Sequence, residues 1–243
     1  SIRVRAEACG LLGTLTGVST KLLLQSLSKN MLKVGVEAFG GSKASSASNT
    51  SGSSSSPSPM LIKEDPFDPK TEGATTITAS KFSDAKNKLI DSSANGAFVH
   101  GLEDEFKEVR DAALSSICEL SHKSRKFAIS ATEFFVDMFN DEIDSVRVKA
   151  IQSLSAIGKV IFLTEAQLLV VLAMLDDANL DVRNASRKLL QNIRLINASS
   201  LLTTTAALIA SLLKHFIEKD MILPTYSALG RNHPHFVELL LED

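Results

Sequence analysis

Residues 101–114, GLEDEFKEVRDAAL, contain the side chains of this sequence that most resemble acid–base machinery. Four carboxylates and one guanidinium occupy the stretch: Glu103, Asp104, Glu105, Glu108 and Arg110. Neighbouring carboxylates can serve as general acid and general base when their surroundings set their pKa values apart. Catalysis also needs a nucleophile and an orienting group in the same cleft, so the rest of the sequence decides whether this stretch is a site.

The remaining residues supply no catalytic pattern. None of the five histidines lies in an HExxH motif, and Cys9 and Cys118 have no CxxC partner and are expected to be buried free thiols. The run GLLGTLTG lacks the lysine of a phosphate-binding loop, and no GxGxxG motif is present. His233 and His235 flank Pro234, which favours the start of a helix over a metal site. We predict a protein that is not an enzyme and has no catalytic, metal or cofactor-binding residues.

Composition narrows the function classes further. The 243 residues include 26 Lys and Arg against 28 Asp and Glu, so no basic excess favours binding to a nucleic-acid backbone. The lack of Trp and the single Tyr disfavour a platform for stacking bases. No apolar run reaches the roughly 18 to 20 residues of a membrane span and no signal-peptide pattern is found, which predicts a soluble intracellular protein without a membrane partner. The sequence begins without Met inside an apolar pattern, and we interpret it as a fragment of a longer protein.

The sequence repeats itself with a period of about 37 residues. A Val-Arg pair occurs four times, and the last three arginines are 37 and 36 residues apart: Arg5, Arg110, Arg147 and Arg183. An aspartate stands six residues before each of these last three arginines: Asp104, Asp141 and Asp177. The carboxylates of residues 101–114 therefore belong to one unit of a repeat.

Fixed offsets after each valine place side chains on one face of a helix. A small residue follows the valine by four positions, and aliphatic residues follow it by eight and eleven. The four sets are Val4, Ala8, Leu12, Leu15; Val109, Ala113, Ile117, Leu120; Val146, Ala150, Leu154, Ile157; and Val182, Ser186, Leu190, Ile193. Residues three and four apart are neighbours on successive turns, and the small residue lets another helix approach closely.

Amphipathic runs that begin at residues 126, 165 and 205 alternate with these helices. Thr164 and Gln167 fit a capping box at the start of the second run. Each unit is therefore predicted to be a helix, a short acidic turn and a second helix. The run TKLLLQSLSKNMLK is the corresponding first helix of the second unit.

Two helices in roughly 37 residues predict an all-α fold, an α-solenoid in which each pair buries its apolar face against its neighbours. The pattern Asp-x4-Val-Arg-x2-Ala is similar to the HEAT repeat. An armadillo repeat would need a third helix and a glycine-rich break, and a tetratricopeptide repeat would show Trp-Leu-Gly and Pro marks; neither is found.

A serine-rich stretch interrupts the repeats. The sequence GSKASSASNTSGSSSSPSP cannot bury enough apolar surface to offset its chain entropy, so we predict a long disordered insertion. The expected organisation is a HEAT-repeat start at 1–39, the disordered insertion at 40–80 and further HEAT repeats at 81–243. Ser56 and Ser58, each followed by proline, are possible phosphorylation sites, although such pairs are frequent in any serine-rich linker.

The recurring aspartates admit two interpretations. They could form a carboxylate ridge that binds a basic peptide, or each could accept backbone hydrogen bonds and pair with an arginine of its own or an adjacent unit. The constant spacing favours the second, a structural ladder of Asp104, Arg110, Asp141, Arg147, Asp177 and Arg183. Candidate partner contacts are basic residues expected to be exposed: Lys107, Arg125, Lys126, Lys149, Arg187 and Lys188.

Three stretches resemble the N-terminal HEAT region of the Integrator subunit 4 family. They are GAFVHGLEDEFKEVRDAAL at 96–114, FFVDMFNDEIDSVRVKAI at 134–151 and ALGRNHP at 228–234, and their order and spacing also match. The resemblance covers nearly all of the chain outside residues 40–80.

This resemblance implies a nuclear, non-catalytic scaffold of the Integrator cleavage module. Its partners would be Integrator subunits 9 and 11, a nuclease pair of the metallo-β-lactamase type, together with other Integrator subunits. The assembly processes the 3′ ends of small nuclear RNAs and terminates RNA polymerase II transcripts; no residue here is assigned a contact with RNA. A nuclear transport adaptor and a phosphatase scaffold subunit stay open as alternatives, because both use HEAT repeats.

Overall fold

The computed structural model describes residues 1–28 and 96–242, and this part of the chain forms eleven α-helices. They are α1 (Ile2–Thr14), α2 (Thr20–Gln25), α3 (Ala97–Leu102), α4 (Lys107–Lys123), α5 (Arg125–Asp137), α6 (Asp144–Ile157), α7 (Glu165–Ala173), α8 (Leu180–Asn192), α9 (Ala198–Lys214), α10 (Lys219–Asn232) and α11 (Pro234–Glu242). Short 3-10 turns follow α5, α7 and α9 at residues 138–140, 174–176 and 216–218. The described residues contain no strand beyond an isolated parallel bridge between Phe162 and Arg194. The all-α prediction is confirmed.

The predictions made for residues 40–80, including Ser56 and Ser58, lie outside the described residues. Of the helix expected in TKLLLQSLSKNMLK, α2 covers Thr20–Gln25, residues 26–28 lie outside the helix, and the rest of the run lies outside the described residues.

The helices form two layers. Helices α1, α4, α6, α8 and α10 pack side by side in chain order as one layer, and α5, α7, α9 and α11 follow one another in the second. Each of the pairs α5–α6, α7–α8 and α9–α10 is one helix–turn–helix unit. Stacked helix pairs that bury a continuous core are the architecture of an α-solenoid, so this prediction is confirmed as well.

The predicted core face is buried in three units. Val146, Ala150, Leu154 and Ile157 of α6 are at most 1% exposed, and the corresponding residues of the other two units are at most 2% exposed. In α1 the same offsets leave Val4 67% exposed. Ala8 and Leu15 are exposed as well, so the buried face that the repeat pattern predicted for α1 is wrong: no described helix covers it.

Helix α1 packs on α4 through a different face, that of Cys9 and Gly13, both of which are buried. A Cβ atom at Gly13 would lie 2.7 Å from Ser116 Cα, so only glycine allows this approach. The Ser116 hydroxyl donates a hydrogen bond of 2.6 Å to the Cys9 carbonyl oxygen. The two helices are thus joined by contact between their backbones.

Side-chain caps fix where the first helices begin. Thr164 and Gln167 form the predicted capping box at α7. Helix α9 begins at Ala198, seven residues before the predicted start at 205, because Asn197 Oδ1 accepts a hydrogen bond from Ser200 N at 2.7 Å. The Ser and Thr residues that follow concealed its apolar period. Helix α11 begins at Pro234, as predicted.

Helices α2 and α3 meet end to end, although residues 26–96 separate them in the sequence. Gly96 N–H donates to the Gln25 carbonyl oxygen at 3.0 Å, and Phe98 N–H donates to the Ser26 carbonyl oxygen at 3.1 Å. Gly96 has a φ of 68°, a left-handed conformation that glycine adopts without strain. The carbonyls at the end of α2 are therefore satisfied by the start of α3, and the two short helices together occupy the place of one first helix.

Candidate functional site

The three repeated aspartates occupy equivalent places at the turn before a second helix. Oδ1 of each accepts a hydrogen bond from the backbone nitrogen two residues later: Asp104 from Phe106 at 3.0 Å, Asp141 from Ile143 at 2.8 Å and Asp177 from Asn179 at 2.8 Å. Such Asx turns fix the direction in which the chain enters the helix. The bond from Phe106, followed by the bond and charge of Arg5, lowers the pKa of Asp104.

Each repeated arginine reaches back to the turn of its own unit. Its Nη1 donates to the backbone carbonyl of the aspartate six residues earlier: Arg110 to Asp104 at 2.8 Å, Arg147 to Asp141 at 2.9 Å and Arg183 to Asp177 at 2.7 Å. This bond accounts for the constant Asp-to-Arg spacing, because a residue six positions further on lies in the first turn of the following helix.

The side-chain ion pairs run between adjacent units. Arg5 Nε lies 2.8 Å from Asp104 Oδ2, Arg110 Nε lies 2.9 Å from Asp141 Oδ2, and Arg147 Nη2 lies 3.2 Å from Asp177 Oδ1. The side chains of Arg110 and Asp141 are each only 7% exposed. The structure thus brings all six residues of the predicted ladder into one row, in which the arginine of one unit contacts the aspartate of the next.

The row ends at Glu218, which the sequence pattern did not reveal. Arg183 and Arg187 both form ion pairs with this carboxylate. The hydrogen bond from Arg183, followed by that from Arg187, lowers the pKa of Glu218 to about 2. Glu218 lies 35 residues after Arg183, whereas Asp177 lies 30 residues after Arg147, so the repeat offset did not point to it. The only available signal was an acidic residue between two predicted helices.

One predicted partner contact is wrong. Arg187 was expected to be exposed, but it is 1% exposed, because it turns inward to Glu218 and donates to Asn184 Oδ1 at 2.7 Å. Lys107 and Lys149 are half-buried. The other three candidates are exposed: Arg125, Lys126 and Lys188.

The groups that suggested acid–base chemistry are separated or already paired. Asp104 belongs to the ladder, while Glu103, Glu105 and Glu108 are exposed to solvent. Burial raises the pKa of the Cys9 and Cys118 thiols, which keeps them protonated and poorly nucleophilic. Within residues 1–28 and 96–242, no group of three His, Cys, Asp or Glu side chains is placed to hold a metal ion.

His233 has a structural position. Leu195 N–H donates to its Nε2 at 2.9 Å, and its Nδ1 lies 3.1 Å from the Leu229 carbonyl oxygen. Because Nε2 accepts, Nδ1 carries the proton and the ring is neutral in this arrangement. The imidazole therefore joins the loop before α9 to the end of α10.

No helix of the described segments has by itself the length and apolar composition of a membrane span. The segments 198–214 and 216–232 meet those criteria only when taken together, and they are bent by 115°.

The comparisons with known proteins agree with this architecture. Residues 97–191 match the family of HEAT repeats. The chain is 34% identical to Integrator complex subunit 4 of Drosophila melanogaster over 237 residues, which cover 98% of this chain and 22% of the relative. It is 36% identical to the Xenopus laevis protein of that name over 99% of this chain and 23% of the relative, and 41% identical to the Dictyostelium discoideum homolog over 66% and 13%.

The chain therefore spans less than a quarter of the length of these relatives. The helices, the matched repeat family and these similarities agree with one another: the described residues form an α-solenoid, residues 97–191 match HEAT repeats, and over almost its whole length the chain is similar to Integrator complex subunit 4.

Proposed function

We propose that the chain is a non-catalytic scaffold subunit of the Integrator complex. The observation that carries this proposal is the ladder, since it commits the repeated charged groups to holding adjacent helix pairs in register. A stack fixed in this way offers partner proteins a long surface with constant side-chain spacing. The similarity to Integrator complex subunit 4 supports the choice of assembly.

In finer detail, the protein acts in the nucleus as part of the Integrator cleavage module. It holds Integrator subunits 9 and 11, the nuclease pair of the metallo-β-lactamase type, and contacts other Integrator subunits. In this role it supports 3′-end processing of small nuclear RNAs and termination of RNA polymerase II transcripts. These statements rest on the similarity of this chain to Integrator complex subunit 4, and in this proposal the chain contributes binding surface rather than chemistry.

The ladder has a structural role in this proposal. Buried ion pairs cost desolvation energy, and breaking one by removing a single partner leaves an uncompensated charge. The Arg110–Asp141 pair is buried on both sides, so its carboxylate is not available to a basic peptide. The alternative of a peptide-binding carboxylate ridge would require the aspartates to exchange these partners.

Affinity purification of the tagged full-length protein from nuclear extract tests the assembly. We expect quantitative mass spectrometry to recover the nuclease pair and other Integrator subunits. Recovery of importin-type transport factors or phosphatase subunits in their place would overturn the proposal in favour of one of the other HEAT-repeat functions. An unrelated HEAT-repeat protein expressed at the same level with the same tag is the control.

A further inference from the structure

A polar groove lies between two second helices, away from the ladder. Helices α6 and α8 line a cavity of about 480 Å³, which we call the α6–α8 groove. Its polar lining residues are Asp144, Ser145 and Gln152 from α6, Asn179 at the N-cap of α8, and Asp181, Asn184 and Lys188 from α8. All of them except the half-buried Asn179 and Asn184 are exposed, so the groove is open to solvent. Val148 and Ala185 supply its apolar lining.

Most of these polar groups are free to bind a ligand. Ser145, Gln152, Asp181 and Lys188 form no side-chain hydrogen bond or ion pair with any other residue in the described part of the chain. Asn184 accepts from Arg187 through Oδ1 and has no partner for its amide N–H groups among those residues. The groove thus differs from the ladder, in which both members of each pair are already engaged.

The charges of the groove are separated along its length. Asp144 and Asp181 lie in the first turns of α6 and α8, whereas Lys188 lies two turns further along α8. Asp144 is already engaged, because its Oδ1 lies 2.6 Å from Arg147 Nη2 and its Oδ2 accepts a hydrogen bond of 2.8 Å from Asn179. The hydrogen bond from Asn179, followed by the charge of Arg147, lowers the pKa of Asp144. The seven residues from Asp181 to Lys188 correspond to about 10 Å at about 1.5 Å per helical residue. The charges that have no partner among the described residues are therefore the carboxylate of Asp181 at one end of the groove and the ammonium group of Lys188 at the other.

The walls of the groove suit an extended backbone better than a helix. A helix satisfies its own backbone hydrogen bonds, whereas every residue of an extended chain brings an unpaired N–H and C=O. Gln152 and Asn184 carry amides, which can donate to such a backbone, and Gln152 can also accept from it. The side chains of Val148 and Ala185 are short, so they leave room for the backbone of a partner to approach. The unpaired carboxylate of Asp181 disfavours a phosphodiester chain.

We infer that the α6–α8 groove binds an extended segment of a partner protein, with a basic side chain at Asp181 and an acidic side chain near Lys188. At about 3.3 Å per extended residue, these two charged residues are about three positions apart in the partner. This inference rests on the proposed scaffold function and names the chemistry of one partner segment.

An array of immobilised eight-residue peptides tests the spacing. Each peptide carries one Lys and one Glu, in either order and separated by one to six positions, in an Ala and Ser background. We expect the 243-residue chain to bind best at a separation of two to four positions and to prefer one order of the two charges. Binding that is independent of both separation and order would overturn the inference.

A charge swap tests the location. The double variant Asp181→Lys with Lys188→Asp keeps the net charge and should reverse the preferred order of Lys and Glu in the peptides. The matched control is Lys159→Asp with Asp220→Lys, which exchanges two exposed charges outside the groove and should leave the preference unchanged. Melting curves followed by circular dichroism should be the same for both variants, since all four side chains are exposed.

The two proposals can fail separately. If the swap leaves the array pattern unchanged, the groove inference is wrong even when the wild-type protein recovers Integrator subunits from nuclear extract. If the wild-type protein recovers no Integrator subunit, the scaffold proposal is wrong even when the swap reverses the peptide preference.

Discussion

Arg110 and Asp141 belong to adjacent helix pairs, and their side chains meet at 2.9 Å between Nε and Oδ2 while each is only 7% exposed. Asp141 also accepts a hydrogen bond of 2.8 Å from Ile143 N–H, so the same carboxylate closes its own turn and holds the arginine of the unit before it. Turn formation and stacking therefore depend on one side chain.

Removing the charge of Asp141 should destabilise the stack. Asn in its place can still accept from Ile143 N–H, so Asp141→Asn isolates the loss of the ion pair from the loss of the turn. We expect a decrease of about 3 kcal/mol in the free energy of unfolding, because Arg110 stays buried without a counter-charge. Urea denaturation of the wild type and of the Asp141→Asn variant measures this decrease in the free energy of unfolding.

Glu142→Gln is the matched control for that experiment. Glu142 is 81% exposed and its Oε1 lies 3.7 Å from Arg110 Nη2, so its loss should change stability by less than about 0.5 kcal/mol. If Asp141→Asn left the melting temperature unchanged but reduced the recovery of partner proteins, the carboxylate ridge would be the better interpretation.

Acid should weaken the α8–α10 contact through Glu218. Its pKa is lowered from about 4.5 to about 2, so the folded protein binds this proton less readily than the unfolded chain. The resulting stabilisation is present above pH 4.5 and is lost as the pH falls toward 2. At about 1.36 kcal/mol per unit its upper bound is about 3 kcal/mol, and screening at this turn lowers it to about 1–2 kcal/mol.

The variant Glu218→Gln should remove that part of the pH dependence. Urea midpoints measured between pH 3 and pH 7 should fall less steeply for Glu218→Gln than for the wild type. The control, Glu119→Gln, changes an exposed carboxylate of α4 and should keep the wild-type slope. Identical slopes for all three proteins would show that Glu218 carries no such linkage.

Two glycines of α1 should respond in opposite ways to alanine. Gly13→Ala places a Cβ 2.7 Å from Ser116 Cα, and the necessary shift of the helices should cost about 1–3 kcal/mol. At Gly10 nothing lies within 4 Å of the added Cβ, so Gly10→Ala should stabilise the helix by up to about 1 kcal/mol. Thermal melts of the two variants compare these effects directly, and equal melting temperatures would contradict the close approach of α1 to α4.

The hydrogen bonds of His233 should contribute more to the stability of the fold than the exposed ring of His235. His233→Phe leaves the Leu195 N–H unpaired and should cost about 1–3 kcal/mol, whereas His235→Phe changes an exposed ring and should cost little. Chemical denaturation measures both. Nitrogen-15 NMR of the wild type should show the neutral form with the proton on Nδ1; a proton on Nε2 would contradict the bond from Leu195.

The sequence pattern predicted the features that depend only on nearby residues, namely the buried face of a helix and the turn within one unit. The offsets after Val146 specify a helix face without reference to distant residues, and the spacing of Asp141 from Arg147 specifies the turn of one unit. Whether Arg147 would pair with its own or an adjacent aspartate was open, because that choice depends on how two units stack. The pairing with Asp177 therefore came only from the structure.

The errors have the same origin. Arg187 was predicted to be exposed because its immediate neighbours resemble a solvated helix face, whereas its burial depends on Glu218 from the next unit. Val4 has the sequence context of Val146 but lacks a covering helix among the described residues. The α6–α8 groove likewise depends on two helices from different units, and no single motif encodes it.

The junction of α2 and α3 is a position at which the helix stack should accept an inserted domain. The end of α2 and the start of α3 lie within hydrogen-bonding distance of each other, since Gly96 N–H donates to the Gln25 carbonyl oxygen at 3.0 Å. Any polypeptide whose two ends lie close together could be carried at this position without a change in the register of the helices around it. A fluorescent domain or an affinity tag inserted here would report on the scaffold from within its sequence, leaving both ends of the protein free.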